Sequence, residues 1–370
     1  MAMPMPALRT VRFLRTWLTG RDSVRTRELL LDRDGTPVPA TLLAPADARG
    51  PLPSWVVLHG ITRPGRAHRQ LVRFTRALAD GGCAVLVPEV PEWRALDLAP
   101  GLTVPTVEAS LRSLADVPES NRDAPVGLLG FSFGAPQALA ASAHPALRHR
   151  LAGVVGFGGY CDLERTIVFQ FTGRHAYRGE EHALRPDPYG RWIVGANYLT
   201  AVPGLEGTAP VARALRRLAA EAGDVGVIAW DPRFDALKED LRAAMAPTHR
   251  EVFDLFAPPT GREPEATAAE EMAHRLAAAA RLAEPGIEPT PLLADVPGPV
   301  HLLHGRRDHL IPFTELMRLR DALPPGALVR ASVTRLFGHS AQDPLPGWRE
   351  APREASTFLS ALSRVLSVVP

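Results

Sequence analysis

Short apolar runs alternate with amphipathic segments along much of the chain. The runs Trp55–Leu58, Cys83–Pro88, Val126–Leu129 and Leu151–Phe157 are continuously apolar, and Pro299–Leu303 is apolar but for His301, as expected of strands buried on both faces. Between them, apolar residues recur at helical spacing. Leu71, Phe74, Leu78 and Ala79 mark a helix over 66–80 that Gly81-Gly82 ends. Further helices are expected over 104–114, 136–143, 314–323 and 348–365. Ahead of the first run, 25–31 and 37–43 flank Asp34-Gly35, a hairpin-turn signal. The segment Leu328–Leu336 is less apolar and suits an edge strand. Strands alternating with helices in this way predict an α/β chain with a mostly parallel sheet.

The pattern changes between about 161 and 293. No buried parallel strand is evident there, and helices are expected over 190–201, 209–222, 233–246 and 265–283. The expected organisation is a core of 25–160 and 294–370 with a helical cap, 161–293, inserted between the sixth and seventh strands. Residues 1–24 precede the core. Within them Leu8, Val11, Leu14 and Leu18 form an apolar stripe, with Arg9, Arg12 and Arg15 largely off it. Packing on the domain's own surface is the expected role, and weak contact with an anionic membrane surface is the alternative.

Composition narrows the classes. The 370 residues are 46% hydrophobic and 22% charged, with 42 basic and 40 acidic side chains, a balance that gives no support for a nucleic-acid partner. Two cysteines, Cys83 and Cys161, allow neither a disulfide framework nor a zinc site, and fit buried thiols in a cytoplasmic protein. No run approaches the roughly 20 apolar residues of a membrane helix, and no signal peptide is evident.

The candidate chemistry centres on Gly130-Phe131-Ser132-Phe133-Gly134, which lies between an expected strand and an expected helix. That context lifts a serine above the sheet edge and aims the helix's N–H groups at the same spot. A glycine-flanked turn with a helix-capping serine is the plainer reading. Three further elements weigh against it. Asp308 follows the Pro299–Leu303 strand, and His339 follows the last strand. His59-Gly60-Ile61 closes the Trp55 strand, where the Ile61 N–H, together with that of Phe133, would form an oxyanion hole. Serine needs a base to become a nucleophile, and histidine with an orienting carboxylate supplies one. All these positions are at C-terminal strand ends, where open parallel sheets build sites. His59 itself is expected to hold its loop by a hydrogen bond.

These motifs, with His304-Gly305-Arg306-Arg307-Asp308 and Gly338-His339, resemble the α/β-hydrolase-fold serine hydrolases. The resemblance covers about 25–160 and 295–368 and leaves out the insertion. It implies an eight-stranded, mostly parallel sheet, a triad of Ser132, Asp308 and His339, an acyl-enzyme intermediate and no cofactor or metal. Some members of the fold place the acid after the sixth strand, which makes Asp162 the alternative. Serine at the elbow disfavours dehalogenases and epoxide hydrolases, which use aspartate there, and dienelactone hydrolases, which use cysteine. A peptidase of the prolyl-oligopeptidase type would need a propeller that the residues before the hairpin do not supply. The leading expectation is hydrolysis of a small to medium carboxylic ester. A thioesterase or acyltransferase using the same triad is the runner-up. A catalytically silent binding protein is the alternative from another class. Trp192, Tyr198, Phe169 and Phe171 are candidates to line an acyl pocket, against the commoner role of core aromatics, and Arg63 and Arg66 are candidates to meet an anionic substrate.

Overall fold

The computed structural model describes residues 5–327, 330–336 and 351–369. Eight strands form one sheet: β1 (Val24–Arg33), β2 (Thr36–Pro45), β3 (Ser54–Leu58), β4 (Ala84–Pro88), β5 (Val126–Phe131), β6 (Leu151–Phe157), β9 (Val300–Gly305) and β10 (Arg330–Thr334). Their order is β1-β2-β4-β3-β5-β6-β9-β10. The first two strands join antiparallel, and the other six run parallel. This is the α/β-hydrolase fold, and β10 is the expected edge.

Alternation along the central strands explains their continuous apolarity. Trp55 and Val57 enter one core, while Val56 and Leu58 enter the other. The first core is closed by α1 (Met5–Thr19), α2 (Arg69–Asp80) and α13 (Ala351–Leu366). The second is closed by α4 (Thr103–Asp116), α5 (Gly134–Ala143), α12 (Phe313–Ala322) and the residues between β6 and β9. A short helix, α3 (Pro91–Arg94), follows β4.

Helix α1 packs on the domain, but not by the stripe read from the sequence: Phe13 and Thr16 face inward, and Arg9, expected off the packing face, is buried. Phe13 is fully buried and meets Phe74 edge-on. Arg9 Nη1 donates to the Val369 carbonyl at 2.9 Å, just past the end of α13. Opposite this face, Leu8, Val11 and Leu18 are exposed. Among the described residues, no helix is long and apolar enough to cross a membrane. Cys83 and Cys161 are buried and unpaired, and burial pushes their thiols up to about 11 and about 12.

The insertion contains α6 (Leu163–Thr172), a hairpin of β7 (Arg174–Tyr177) and β8 (Glu180–Ala183), α7 (Pro188–Tyr198), α8 (Ala209–Val225), α9 (Asp235–Ala243), α10 (Pro247–Phe256) and α11 (Ala266–Ala283). Four expected helices correspond to α7, α8, α9 and α11. The hairpin and helices α6 and α10 add to that reading. Helix α6 is rich in β-branched and aromatic residues, which obscure a helical signal. Its start is fixed by Asp162, whose carboxylate accepts from Arg165 N. The hairpin strands are polar and mostly exposed, so no apolar alternation marks them. The helix expected over 233–246 stops at Ala243, and Pro247 opens α10 at its first turn.

Candidate active site

Ser132 sits at φ +53°, in the left-handed region that costs a residue with a Cβ roughly 1–2 kcal/mol. The surrounding backbone holds it there. Its N–H donates to the Phe157 carbonyl on β6 at 2.8 Å, and its carbonyl accepts from Ala135 N at 3.0 Å. The turn is so tight that a Cβ on Gly130 would lie 2.0 Å from the Gly134 carbonyl oxygen. A Cβ on Gly134 would lie 2.6 Å from the His59 carbonyl oxygen. The two glycines of the pentapeptide are thus required by close backbone approach.

The loop after β3 reaches the same point. A Cβ on Gly60 would lie 2.9 Å from Ser132 Cβ and 3.5 Å from its Oγ. His59 is buried, and its Nδ1 lies 2.7 Å from the Gly60 carbonyl oxygen. That carbonyl belongs to the same planar peptide unit as the Ile61 N–H, so the ring orients this N–H toward the opposite side. Val90 N donates to His59 Nε2 at 3.0 Å, fixing the ring from β4's end. Tyr189 on α7 donates its hydroxyl to the Ile61 carbonyl at 3.2 Å, which pins the next peptide unit. Neither the Ile61 nor the Phe133 N–H donates to a described residue.

Asp308 is buried in the loop after β9. Its Oδ1 accepts from Leu310 N and Ile311 N, both at 3.0 Å. His304 Nε2 lies 3.3 Å from Oδ2 and 2.9 Å from the Ile311 carbonyl oxygen, so a single N–H bridges the loop's carboxylate and its backbone. Two strand spacings separate β5 from β9, about 10 Å. His339 lies outside the described residues. In the sequence it follows Leu336 by three positions, and Leu336 lines the cavity above Ser132.

Asp162 has a different role. Besides capping α6, it lies 3.2 Å from Arg281 and 3.6 Å from Arg165. Its carboxylate joins a network that ties α6 to α11, and Glu315 of α12 reaches the same Arg165 at 3.0 Å. Asp308 instead is held by backbone N–H groups next to the cavity-lining residues Leu310 and Ile311.

The cavity over Ser132 has a volume of about 750 Å³. Gly60, Ile61 and Phe133 bound it on the sheet side, and Leu310 and Ile311 bound it beside Asp308. Trp192, Tyr198, Phe169 and Phe171 do not line it. They are buried instead: Phe169 packs edge-on against His175, Phe171 against Phe256 and Trp192 against Phe234. Arg66 bonds with Glu28, and Arg63 pairs with Asp224. Residues of the insertion that sequence pattern did not single out do line it: Asp187, Tyr189 and Gln170, with His309 beside Asp308. A single polar residue in an irregular segment carries no periodic signal, so only the fold reveals them. Among the described residues, no cluster of three or more metal-ligating side chains occurs.

No family model matches the sequence, and no curated protein does. Solved structures similar in shape include Est1E from Butyrivibrio proteoclasticus, at 11% identity over 92% of this chain and 97% of that one, with a TM-score of 0.48. Brefeldin A esterase, described as a bacterial homologue of human hormone-sensitive lipase, matches at 16% identity over 99% and 88%, with a TM-score of 0.48. A 2,6-dihydroxy-pseudo-oxynicotine hydrolase matches at 16% identity over 96% and 73%, with a TM-score of 0.46.

Proposed function

We propose that the protein is a serine hydrolase that cleaves a carboxylic ester of small to medium size, with Ser132 as nucleophile, His339 as base and Asp308 as the orienting acid. The observation that carries this reading is Ser132 at positive φ with two uncommitted backbone N–H groups, those of Phe133 and Ile61, beside it. A helix cap or a plain turn has no use for the strain or for the oriented loop.

The chemistry follows from these parts. Ser132 Oγ attacks the ester carbonyl carbon while His339 takes its proton. The Ile61 and Phe133 N–H groups hold the oxyanion, each worth about 3–4 kcal/mol at the transition state. His339 then returns the proton to the departing alcohol. Water, deprotonated by the same ring, releases the acid from the acyl-enzyme. Asp308, with its Oδ1 occupied by two N–H groups, offers the imidazole a fixed carboxylate. The insertion acts as a cap over this site. Asp187 N donates to the His309 carbonyl at 2.7 Å and Tyr189 to that of Ile61, so one turn of α7 braces both catalytic loops.

A fluorophosphonate probe tests the reading without a known substrate. Labelling of Ser132, absent in Ser132→Ala and strongly slowed in His339→Ala, is the expected result. Labelling at a different serine, or none in folded protein, overturns it.

A further inference from the structure

Asp187 lies on the insertion side of the cavity and is 6% exposed. Its hydrogen bonds are confined to one oxygen. Oδ1 accepts from Tyr189 N at 3.0 Å and from Ala229 N at 3.1 Å. No described residue bonds to Oδ2, which keeps some exposure, and the residue lines the cavity.

The carboxylate also lacks an ion-pair partner among the described residues. Arg191, one turn along α7, favours its charge but directs its Nε and Nη1 to the Phe256 and Gln170 carbonyls. His309 also favours the charge, while its Nδ1 is bonded to the Arg185 carbonyl. Burial pushes the Asp187 carboxyl up to about 6, so it remains mostly ionised at neutral pH. Around it the wall is largely apolar, with Ile193 and Ile228 lining the same cavity. Beside it, Gln170 lies against Gly190 and leaves its buried amide oxygen without a partner. A buried carboxylate with one oxygen open to a cavity is unfavourable until a cation or strong donor meets it.

We propose that Asp187 is a substrate-recognition residue that binds a protonated amine, so that the preferred ester carries an ammonium group on an apolar chain. This rests on the ester-hydrolase reading, with Ser132 at the reacting end and Asp187 at the selecting end. The apolar wall takes the chain, and Oδ2 takes the ammonium. A neutral isostere leaves the carboxylate unpaired and is selected against. The sheet builds the reaction and the insertion chooses the molecule.

Matched p-nitrophenyl esters test this: ω-aminoacyl esters of four to eight carbons against acyl esters with methyl in place of ammonium. The expected result is a kcat/KM at least about tenfold higher for the amino ester at its best chain length. Asp187→Asn, which keeps an amide oxygen for the two N–H groups, is expected to abolish that preference. A preference for the methyl ester at every length, or a ratio unchanged in Asp187→Asn, overturns the proposal while leaving the hydrolase reading intact. A readout independent of catalysis covers the other failure. Thermal unfolding of the wild type is expected to shift upward with n-hexylamine at pH 7.5 and not with 1-hexanol. Equal shifts, or none with the amine, overturn the amine site. Absent fluorophosphonate labelling with an intact amine shift overturns the hydrolase reading alone.

Discussion

At the elbow, polar atoms are placed by backbone contact. Gly130 touches Gly134, Gly134 touches the His59 carbonyl, and Gly60 touches Ser132. In the insertion, polar atoms around the same cavity are placed by side chains that reach across tertiary gaps: Tyr189 to Ile61, Asp187 to Ala229, and Gln170 against Gly190. The first kind of placement is local and nearly all-or-none, because a backbone cannot yield where a side chain can rotate. The second is distributed, so each contact is worth less and can be tuned. On the reading proposed above, chemistry common to many substrates belongs to the first region and choice among substrates to the second.

The sharpest way to break this contrast is a single methyl group at the elbow. In Gly130→Ala the new Cβ falls 2.0 Å from a main-chain oxygen, so strand β5 and helix α5 must part. The expected cost exceeds about 4 kcal/mol in urea unfolding, with fluorophosphonate labelling lost. An alanine variant with wild-type stability and labelling would show that the turn is not sterically locked.

An intermediate effect belongs to Asp187. Its folded carboxyl titrates near 6, against an ordinary 3.8, with burial as the main cause. Between those values the folded state holds a proton that the unfolded chain has lost, so stability falls as pH rises through that window. The loss amounts to at most about 3 kcal/mol between pH 4 and 7. Asp187→Asn cannot titrate and should gain on the wild type by that amount over the same range. Urea unfolding of both proteins at pH 4, 5.5 and 7 measures it. Parallel stability curves would mean that the carboxylate is solvated or paired.

The same contrast explains what the sequence made legible. The elbow motif, the His59-Gly60 turn and the Asp308 loop follow apolar runs that define strand ends, so their positions could be read from pattern alone. Both cores follow from period-two alternation in those runs. In the insertion the pattern located α7, α8, α9 and α11 but gave no clue to which faces meet. Phe169, Phe171, Trp192 and Tyr198 are large and apolar, and nothing in their spacing tells a cavity wall from a core. They lie in the core. Asp187 caps α7, its Oδ1 accepting from Tyr189 N. Only the fold shows that its other oxygen is unbonded and that the residue lines the cavity.

The smallest effect is the most discriminating, because it crosses between the two regions. Tyr189 on α7 donates its hydroxyl to the Ile61 carbonyl, one peptide unit beyond the N–H assigned to the oxyanion hole. His59 pins the peptide unit before Ile61, and Tyr189 pins the one after it. Tyr189→Phe removes one hydroxyl and keeps the ring's packing. A neutral hydrogen bond contributes about 1 kcal/mol net, so the loop's order should loosen by that much and no more. The expected result is an approximately fivefold slower reaction with the fluorophosphonate, whose charged transition state needs the hole, and a lower kcat for ester cleavage with KM little changed. Thermal stability should stay close to that of the wild type. If Tyr189 serves only as packing, labelling rate and kcat will match the wild type. The two regions would then act independently, with the insertion choosing the substrate and taking no part in its turnover.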